Sequence, residues 1–426
     1  MSQYVIDGGH PIRGRIRASG NKNAALPCLA ATLLTDEPVV LNNVPAIEDV
    51  SVMLDIMRSI GCTVDWDHSG HSVRVQTSNI ASADIAPEQA KRIRASLLLA
   101  GPLLARTGSV TLPPPGGDVI GRRRLDTHFL ALTALGARFD RDGSFHLAAN
   151  KLVGVDLFLD EASVTATENA VMAAVLAEGQ TTIENAASEP HVQDLCRMLV
   201  SMGARIEGIG SNILRISGVK HLRGTEFVIG ADFMEVGSLI GLAAVTRGDL
   251  EIEAAGTRHL KMTRLAFGRM GVRWEQSGDV VHVPATQDLT VSPDLGGMIP
   301  KIDDAPWPGF PPDLISIAIT VATQVSGTVL IHEKMFESRM FFVDKLIDMG
   351  ARIILCDPHR AVVNGPSRLS GANMVSPDVR AGMAMVLAAM CANGRSVIQN
   401  VYQIERGYES LATRLRDLGA RISRED

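Results

Sequence analysis

Polar and apolar positions along this chain repeat one arrangement six times. A large apolar residue, a glycine, a small residue and then strand formers occur as Ile60-Gly61-Cys62-Thr63-Val64, Leu135-Gly136-Ala137-Arg138-Phe139 and Met202-Gly203-Ala204-Arg205-Ile206. They occur again as Met270-Gly271-Val272-Arg273-Trp274, Met349-Gly350-Ala351-Arg352-Ile353 and Leu418-Gly419-Ala420-Arg421-Ile422. The glycines lie 75, 67, 68, 79 and 69 residues apart, an even spacing that marks an internal repeat. Amphipathic turns precede each copy, as in Val52-Met53-Leu54-Asp55-Ile56-Met57-Arg58, so each glycine reads as the left-handed cap of an exposed helix. A strand follows, often in a hairpin such as 138–147, where Asp142-Gly143 makes the turn.

Earlier in every repeat lies a second element, apolar nearly all round: 24–34, 95–105, 170–177, 236–245, 314–322 and 381–392. A helix without a polar face belongs inside a core. Each repeat therefore predicts strand, buried helix, strand, exposed helix, hairpin, or βαβαββ, with the buried helices inside and the sheets around them. The sixth repeat lacks its return strand, which Tyr4-Val5-Ile6 can supply. The expected organisation is one domain at 22–229 and a second at 1–21 plus 230–426, joined by two crossings that permit closure over a cleft.

Composition narrows the class. The 426 residues are 46% hydrophobic, 21% charged and 4% aromatic, which excludes a wholly disordered chain and predicts cores of Ala, Val, Ile, Leu and Met. Lys+Arg number 41 against 47 Asp+Glu, a net charge of −6, which argues against a dedicated nucleic-acid partner. Five scattered cysteines without a CxxC pair argue against a disulfide framework or a structural zinc, and no metal cluster is visible. The N-terminus carries no signal-peptide pattern, and the apolar runs fall short of the ~20 residues of a membrane span. The expectation is a cytoplasmic protein with no membrane partner and no cofactor.

The starts of the six buried helices are polar: Lys22-Asn23, Arg94, 163–169, 232–235, Asp313, and Asp378 with Arg380. Helix N-termini favour anions, and a cation there opposes the dipole. A cap plus a surface charge explains any one of these residues. For Lys22, Arg94 and Arg380 together an anionic ligand is the better explanation. The loop Gly116-Gly117-Asp118-Val119-Ile120-Gly121-Arg122-Arg123-Arg124 joins glycines to three cations and suits phosphate. Neither segment is a Walker A or GxGxxG motif, so an ATPase or a dinucleotide enzyme is not supported.

These residues resemble the enolpyruvyl transferase family, in the branch that acts on UDP-N-acetylglucosamine. The resemblance covers essentially the whole chain. It includes Ser19-Gly20-Asn21-Lys22-Asn23-Ala24-Ala25-Leu26-Pro27, Arg94-Ala95-Ser96, Pro115-Gly116-Gly117, Ile120-Gly121, Asp126 and His128. It continues through Glu184-Asn185-Ala186-Ala187, Glu189-Pro190, Phe310-Pro311, Asp313, Phe336-Glu337, Arg339, Asp378, Arg380 and Arg406-Gly407-Tyr408-Glu409. The Lys-Ser and Asn-Ala-Gly-Thr motifs of the shikimate-pathway relatives are absent.

The resemblance implies two inside-out α/β barrel domains of three repeats each. It also implies transfer of the enolpyruvyl group of phosphoenolpyruvate to the 3-hydroxyl of UDP-N-acetylglucosamine, opening peptidoglycan precursor synthesis. By the same resemblance, phosphoenolpyruvate meets Lys22, Asn23, Arg123, Arg339, Arg380 and Arg406. The UDP-sugar meets Asn23, Arg94, Arg123, Arg124, Leu125, Asp126, Thr127, Ser163, Val164, Asp313 and Met335. Asp313 is the implied base, although a helix cap alone would account for it, and Lys22 and Arg406 assist catalysis. The mobile loop 113–124 carries the acid. Where the family usually has Cys, this chain has Asp118, which implies insensitivity to fosfomycin. Arg124 stands in place of a common Pro, and Leu98 and Glu161 replace a Trp and a Lys. These departures keep two alternatives open: another nucleotide or UDP-sugar acceptor, or a catalytically silent UDP-sugar-binding paralogue.

Overall fold

The six glycines end six exposed helices: Glu48–Ser59, Asp126–Ala134, Pro190–Ser201, Lys261–Gly268, Val343–Asp348 and Leu411–Asp417. In the computed structural model, which describes residues 2–117 and 120–426, each of the six has a positive φ between 76° and 108°. Each also sits in the same pair of capping bonds. Around Gly61, its own N–H reaches Arg58 O at 3.1 Å and the next N–H, of Cys62, reaches Met57 O at 3.0 Å. The same pair recurs at Gly136, Gly203, Gly271, Gly350 and Gly419. This is the Schellman arrangement, and it turns the chain from helix into strand at the same point of every repeat.

The chain forms two compact units, one of residues 2–19, 120–122 and 231–426, the other of residues 20–117 and 123–230. Each has three sheets and its own core of mostly aliphatic side chains. In the first unit the sheets flank the buried helices Phe233–Val245, Ile315–Ala322 and Val379–Cys391, which pack on one another. Small residues allow the close approach: a Cβ on Gly241 would come within 3.1 Å of Ile317 Cγ2 and Val321 Cγ2. In the second unit the buried helices are Lys22–Ala31, Ala100–Thr107 and Val164–Ala174. There a Cβ on Gly101 would lie 2.5 Å from Asn169 O.

Strand pairing shows how the repeats close. Gln3–Asp7 lies between Arg395–Gln399 and Arg421–Glu425, antiparallel to both, with Tyr4 opposite Arg424 and Ile6 opposite Ile422. The N-terminal strand is thus the return strand of the sixth repeat. Arg13–Arg17 pairs in parallel with Asp249–Glu253, and Glu226–Val228 pairs in parallel with Val39–Asn42. The opening strands of the first and fourth repeats are therefore exchanged along the chain, each folding with the later or earlier segment that completes its own unit.

One repeat departs from βαβαββ. The second has a three-stranded sheet, Ser109–Leu112, Phe145–Ala148 and Arg138–Arg141, and its opening strand is reduced to a single bridge from Asp84 to Thr111. Pro87 follows three residues later, has no N–H to extend a ladder, and instead begins the short helix Pro87–Ala90. Among the described residues no helix is long and apolar enough to cross a membrane.

Gly203 isolates the backbone term, because a Cβ there would meet nothing within 4 Å while φ is +107°. Gly203→Ala is expected to destabilise its unit by about 1–3 kcal/mol through backbone strain alone. The urea midpoint measures it, and an unchanged midpoint would refute the capping role.

Candidate active site

The residues singled out by sequence fall into two groups, one in each unit. In the unit of residues 20–117 and 123–230, Asn21 starts a helix by accepting N–H bonds from Asn23 (2.8 Å) and Ala24 (3.2 Å). Lys22 is then the first helical residue, and its Nζ lies 3.1 Å from Asp49 Oδ2, both side chains being largely buried. Asp49 belongs to the first turn of the Glu48–Ser59 helix. Nothing in the sequence marked it as the partner of Lys22.

Arg94 begins a 3₁₀ turn, Arg94–Leu99, and its Nη2 donates to the carbonyls of Arg123 (3.1 Å) and Arg124 (3.3 Å). Burial first, and then the neighbouring charge of Arg123, lower its pKa to about 10, while Glu161 pulls the other way. Arg124 is paired with Asp160 at 2.8 Å and Asp126 at 3.4 Å. Thr127 Oγ1 donates to the other oxygen of Asp160 at 2.7 Å. Asp160, a second residue that sequence reasoning missed, holds the start of the Asp126–Ala134 helix in place; Leu125 precedes that helix.

Ser163 caps the Val164–Ala174 helix through its Oγ, which accepts from Ala166 N. Behind this start lies a buried network. His128 Nε2 meets Thr165 Oγ1 at 3.0 Å, and its Nδ1 meets Asn169 Nδ2 at 2.9 Å. Asn169 also donates to Leu97 O and accepts from Gly101 N, so one side chain ties three segments together.

In the other unit, Asp313 lies in the 3₁₀ turn Pro312–Leu314 that leads into the Ile315–Ala322 helix. It does not hold a cap position, which falls to Pro311 for the turn and to Leu314 for the helix. Its carboxylate instead lies between two arginines, with Oδ1 2.5 Å from Arg339 Nη2 and Oδ2 2.9 Å from Arg380 Nε. Arg380 is the second residue of the Val379–Cys391 helix, whose cap Asp378 accepts from Arg380 N and Ala381 N. The Arg380 guanidinium lies 5.3 Å from the centre of the Tyr408 ring, and its Nη2 approaches Met234 Sδ at 3.5 Å. Met234 is in the first turn of the Phe233–Val245 helix, so three buried helix starts meet here.

Burial opposes the charge of Arg380, but Tyr408, Asp313 and Asp232 outweigh it and keep the pKa above the ordinary arginine value. Arg339 Nε and Arg380 Nη1 are buried without a hydrogen-bond partner. Two buried cations with spare N–H donors can take a further anion. Arg406 is also buried and donates to Gln403 Oε1 at 3.0 Å, whereas Met335 is 38% exposed.

The segment that carries Met335 and Arg339 is held by two carboxyls that the sequence did not bring to notice. Asp304 Oδ1 accepts from Lys334 N at 2.5 Å and its Oδ2 from Met335 N at 3.2 Å. Glu333 Oε1 accepts from Met335 N and Phe336 N. Burial, then hydrogen bonding and charge from Asp304, push Glu333 up to about 9. Asp118 lies outside the described residues.

Three sheets and three buried helices in each unit, with cationic residues at buried helix starts, agree with the arrangement expected of an enolpyruvyl transferase. A family model described as EPSP synthase (3-phosphoshikimate 1-carboxyvinyltransferase) matches residues 6–415. The UDP-N-acetylglucosamine 1-carboxyvinyltransferase of Treponema denticola is 64% identical over 422 residues, covering 99% of both chains. That of Treponema pallidum is 64% identical over 425 residues, covering 100% of both. The enolpyruvyl transferase NikO from Streptomyces tendae has a TM-score of 0.88 at 25% identity, over 99% of this chain and 98% of its own. The chain belongs to the enolpyruvyl transferase family, in the group of the UDP-N-acetylglucosamine 1-carboxyvinyltransferases.

The His128 network supplies a prediction. Burial, with Arg94 nearby, lowers its pKa from 6.5 to about 3. A depressed value means that its contribution to stability is complete above pH 6.5 and is lost as the pH falls toward 3. Nitrogen NMR of the ring is expected to show neutral imidazole down to about pH 4. A ring that protonates at the ordinary histidine value would contradict the network.

Proposed function

We propose that this enzyme transfers the enolpyruvyl group of phosphoenolpyruvate to the 3-hydroxyl of UDP-N-acetylglucosamine, releasing phosphate as the first committed step of peptidoglycan precursor synthesis. The observation that carries the reading is Asp313, a carboxylate between two buried arginines that keep unpartnered N–H groups. The names of relatives 64% identical over the full length support the acceptor.

In this reading Arg339 and Arg380 receive the phosphoenolpyruvate carboxylate. Without substrate Asp313 is ion-paired with both arginines. The arriving carboxylate competes for the same guanidinium groups, which weakens their hold on Asp313 and raises its basicity when the hydroxyl is present. Asp118 protonates the methylene carbon of phosphoenolpyruvate while the 3-hydroxyl oxygen bonds to the adjacent carbon and gives its proton to Asp313. The tetrahedral ketal then expels phosphate and loses a proton from the new methyl group, which restores the double bond. Lys22, Arg123 and Arg406 contact the phosphate as charge moves onto it, with Asn23 beside them. Arg94, Arg123, Arg124, Leu125, Asp126, Thr127, Ser163, Val164 and Met335 hold the UDP-sugar. The reading needs no cofactor and places the reaction in the cytoplasm.

Glu161 favours a second reading. It acts electrostatically on Arg94, and a carboxylate there is unfavourable beside a diphosphate. An acceptor with less phosphate charge would suit it better. Phosphate release measured with UDP-N-acetylglucosamine, UMP and other UDP-sugars separates the two readings. Binding of the UDP-sugar by calorimetry with no phosphate release would refute both and mark a silent paralogue.

Asp118→Asn is expected to lower kcat by about 10²–10⁴-fold, the usual worth of a general acid. A fully active variant would remove Asp118 from the mechanism. The wild type is expected to resist fosfomycin, since a carboxylate opens the epoxide poorly compared with a thiolate. Asp118→Cys should gain time-dependent inactivation with a covalent adduct by mass spectrometry, and a variant that forms none would refute the placement of this loop residue.

A further inference from the structure

Asp304 and Glu333 are both fully buried, and they share one donor: Met335 N reaches Asp304 Oδ2 at 3.2 Å and Glu333 Oε1 at 3.3 Å, which sets the two carboxyls side by side. Two adjacent carboxyls without water cannot both be ionised. Asp304 accepts backbone N–H bonds at both oxygens, whereas Glu333 accepts them at Oε1 only, and no donor reaches its Oε2. The shared proton therefore belongs on Glu333, whose Oε2 receives no other hydrogen, rather than on Asp304.

The pair lies where two functional segments meet. Asp304 bridges to Phe310, and Ala305 N donates to Phe310 O, which fixes the approach to Asp313. On the other side the two carboxyls take the N–H groups of Lys334, Met335 and Phe336. The Phe336 ring lies 5.1 Å from the Arg339 guanidinium, which holds Asp313.

We propose that Glu333 is a positioning residue: its protonated carboxyl, bonded to Asp304, locks the 334–336 turn so that Arg339 is held against Asp313. This rests on the roles proposed above for Arg339 and Asp313. Ionising Glu333 puts two negative charges together in the core, breaks the pair and releases the turn. Of the charged and titratable groups around it, Asp304 opposes ionisation and Arg339 favours it. Lys334 is committed to Asp303 at 2.7 Å, His359 meets the Glu333 carbonyl rather than its carboxyl, and His332 shares a backbone bond with Asp304. With its pKa raised from 4.5 to about 9, Glu333 contributes stability that is complete below 4.5 and is lost as the pH rises through 9.

The test follows kcat/KM for phosphoenolpyruvate against pH in the full-length enzyme, with infrared difference spectra of the same proteins. Glu333→Gln keeps the acceptor oxygen and the donor to Asp304 but cannot titrate. It is expected to keep activity at neutral pH and to lose the falling limb near pH 9. Glu333→Ala should lower kcat at least tenfold, with KM for the UDP-sugar changed less than twofold, about 0.4 kcal/mol at RT ln 2. Wild type minus Glu333→Gln should show a protonated-carboxyl band at neutral pH. An unchanged basic limb in Glu333→Gln, or no such band, overturns the proposal. A wild type that releases no phosphate with any acceptor removes the reading on which the positioning role rests, and the band then still decides the acid pair on its own.

Discussion

A helix buried on every side has to satisfy its first N–H groups without water, and the rest of this molecule follows from that constraint. Four of the six buried helices meet it with a side chain: Asn21, Ser163, Asp232 and Asp378 each accept from the N–H groups of the first turn. These polar ends also carry charged side chains into the core. Lys22 and Arg380 lie in the first turns of their helices against the dipole, and each is paired with a carboxylate, Asp49 and Asp313. The small side chains that let the helices pack closely also bring neighbouring starts within contact of one another, so Met234, Asp313 and Arg380 meet.

Charge at such a start has to be compensated, and the two units do so differently. Lys22 is matched by a single carboxylate, Asp49. Asp313 is matched twice, and the excess cation leaves N–H groups on Arg339 and Arg380 unpaired. An unmatched buried donor costs about 1–3 kcal/mol, so this arrangement is less stable than a fully paired one and is relieved by an incoming anion. In the proposed reaction an anion arriving at those donors competes for the groups that hold Asp313, which couples the proton acceptor to substrate binding.

The repeats were legible in the sequence because they are local. A glycine after an amphipathic turn and an apolar run are read within one window; the glycine caps stand in the structure as the spacing implied, while the run 95–105 divides between the 3₁₀ helix Arg94–Leu99 and the helix Ala100–Thr107. The opening strand of the second repeat was not legible as missing. Its pairing stops at the single Asp84–Thr111 bridge, with the helix Pro87–Ala90 beginning three residues on. Polar helix starts were equally visible, but their partners were not. Asp49, Asp160, Asp304 and Glu333 lie in ordinary acidic or strand contexts, and only tertiary packing sets them beside Lys22, Arg124 and the turn that leads to Arg339.

Those unseen partners differ in kind from the residues they support. Lys22, Asp313 and the arginines offer groups that a ligand can take. Asp160, Asp304 and Glu333 spend their hydrogen bonds on backbone and neighbouring side chains, and so decide where those groups are held. A guanidinium has several staggered rotamers, and pairing with Asp313 alone leaves more than one of them open. Phe336 under Arg339 removes that freedom only if the turn carrying it is itself fixed, and the turn has no helix or sheet ladder to fix it. Two buried carboxyls sharing a proton supply acceptors for all three of its N–H groups, which a single carboxylate on one flank could not reach. The protonation state of the core thereby becomes a condition on the geometry of the site.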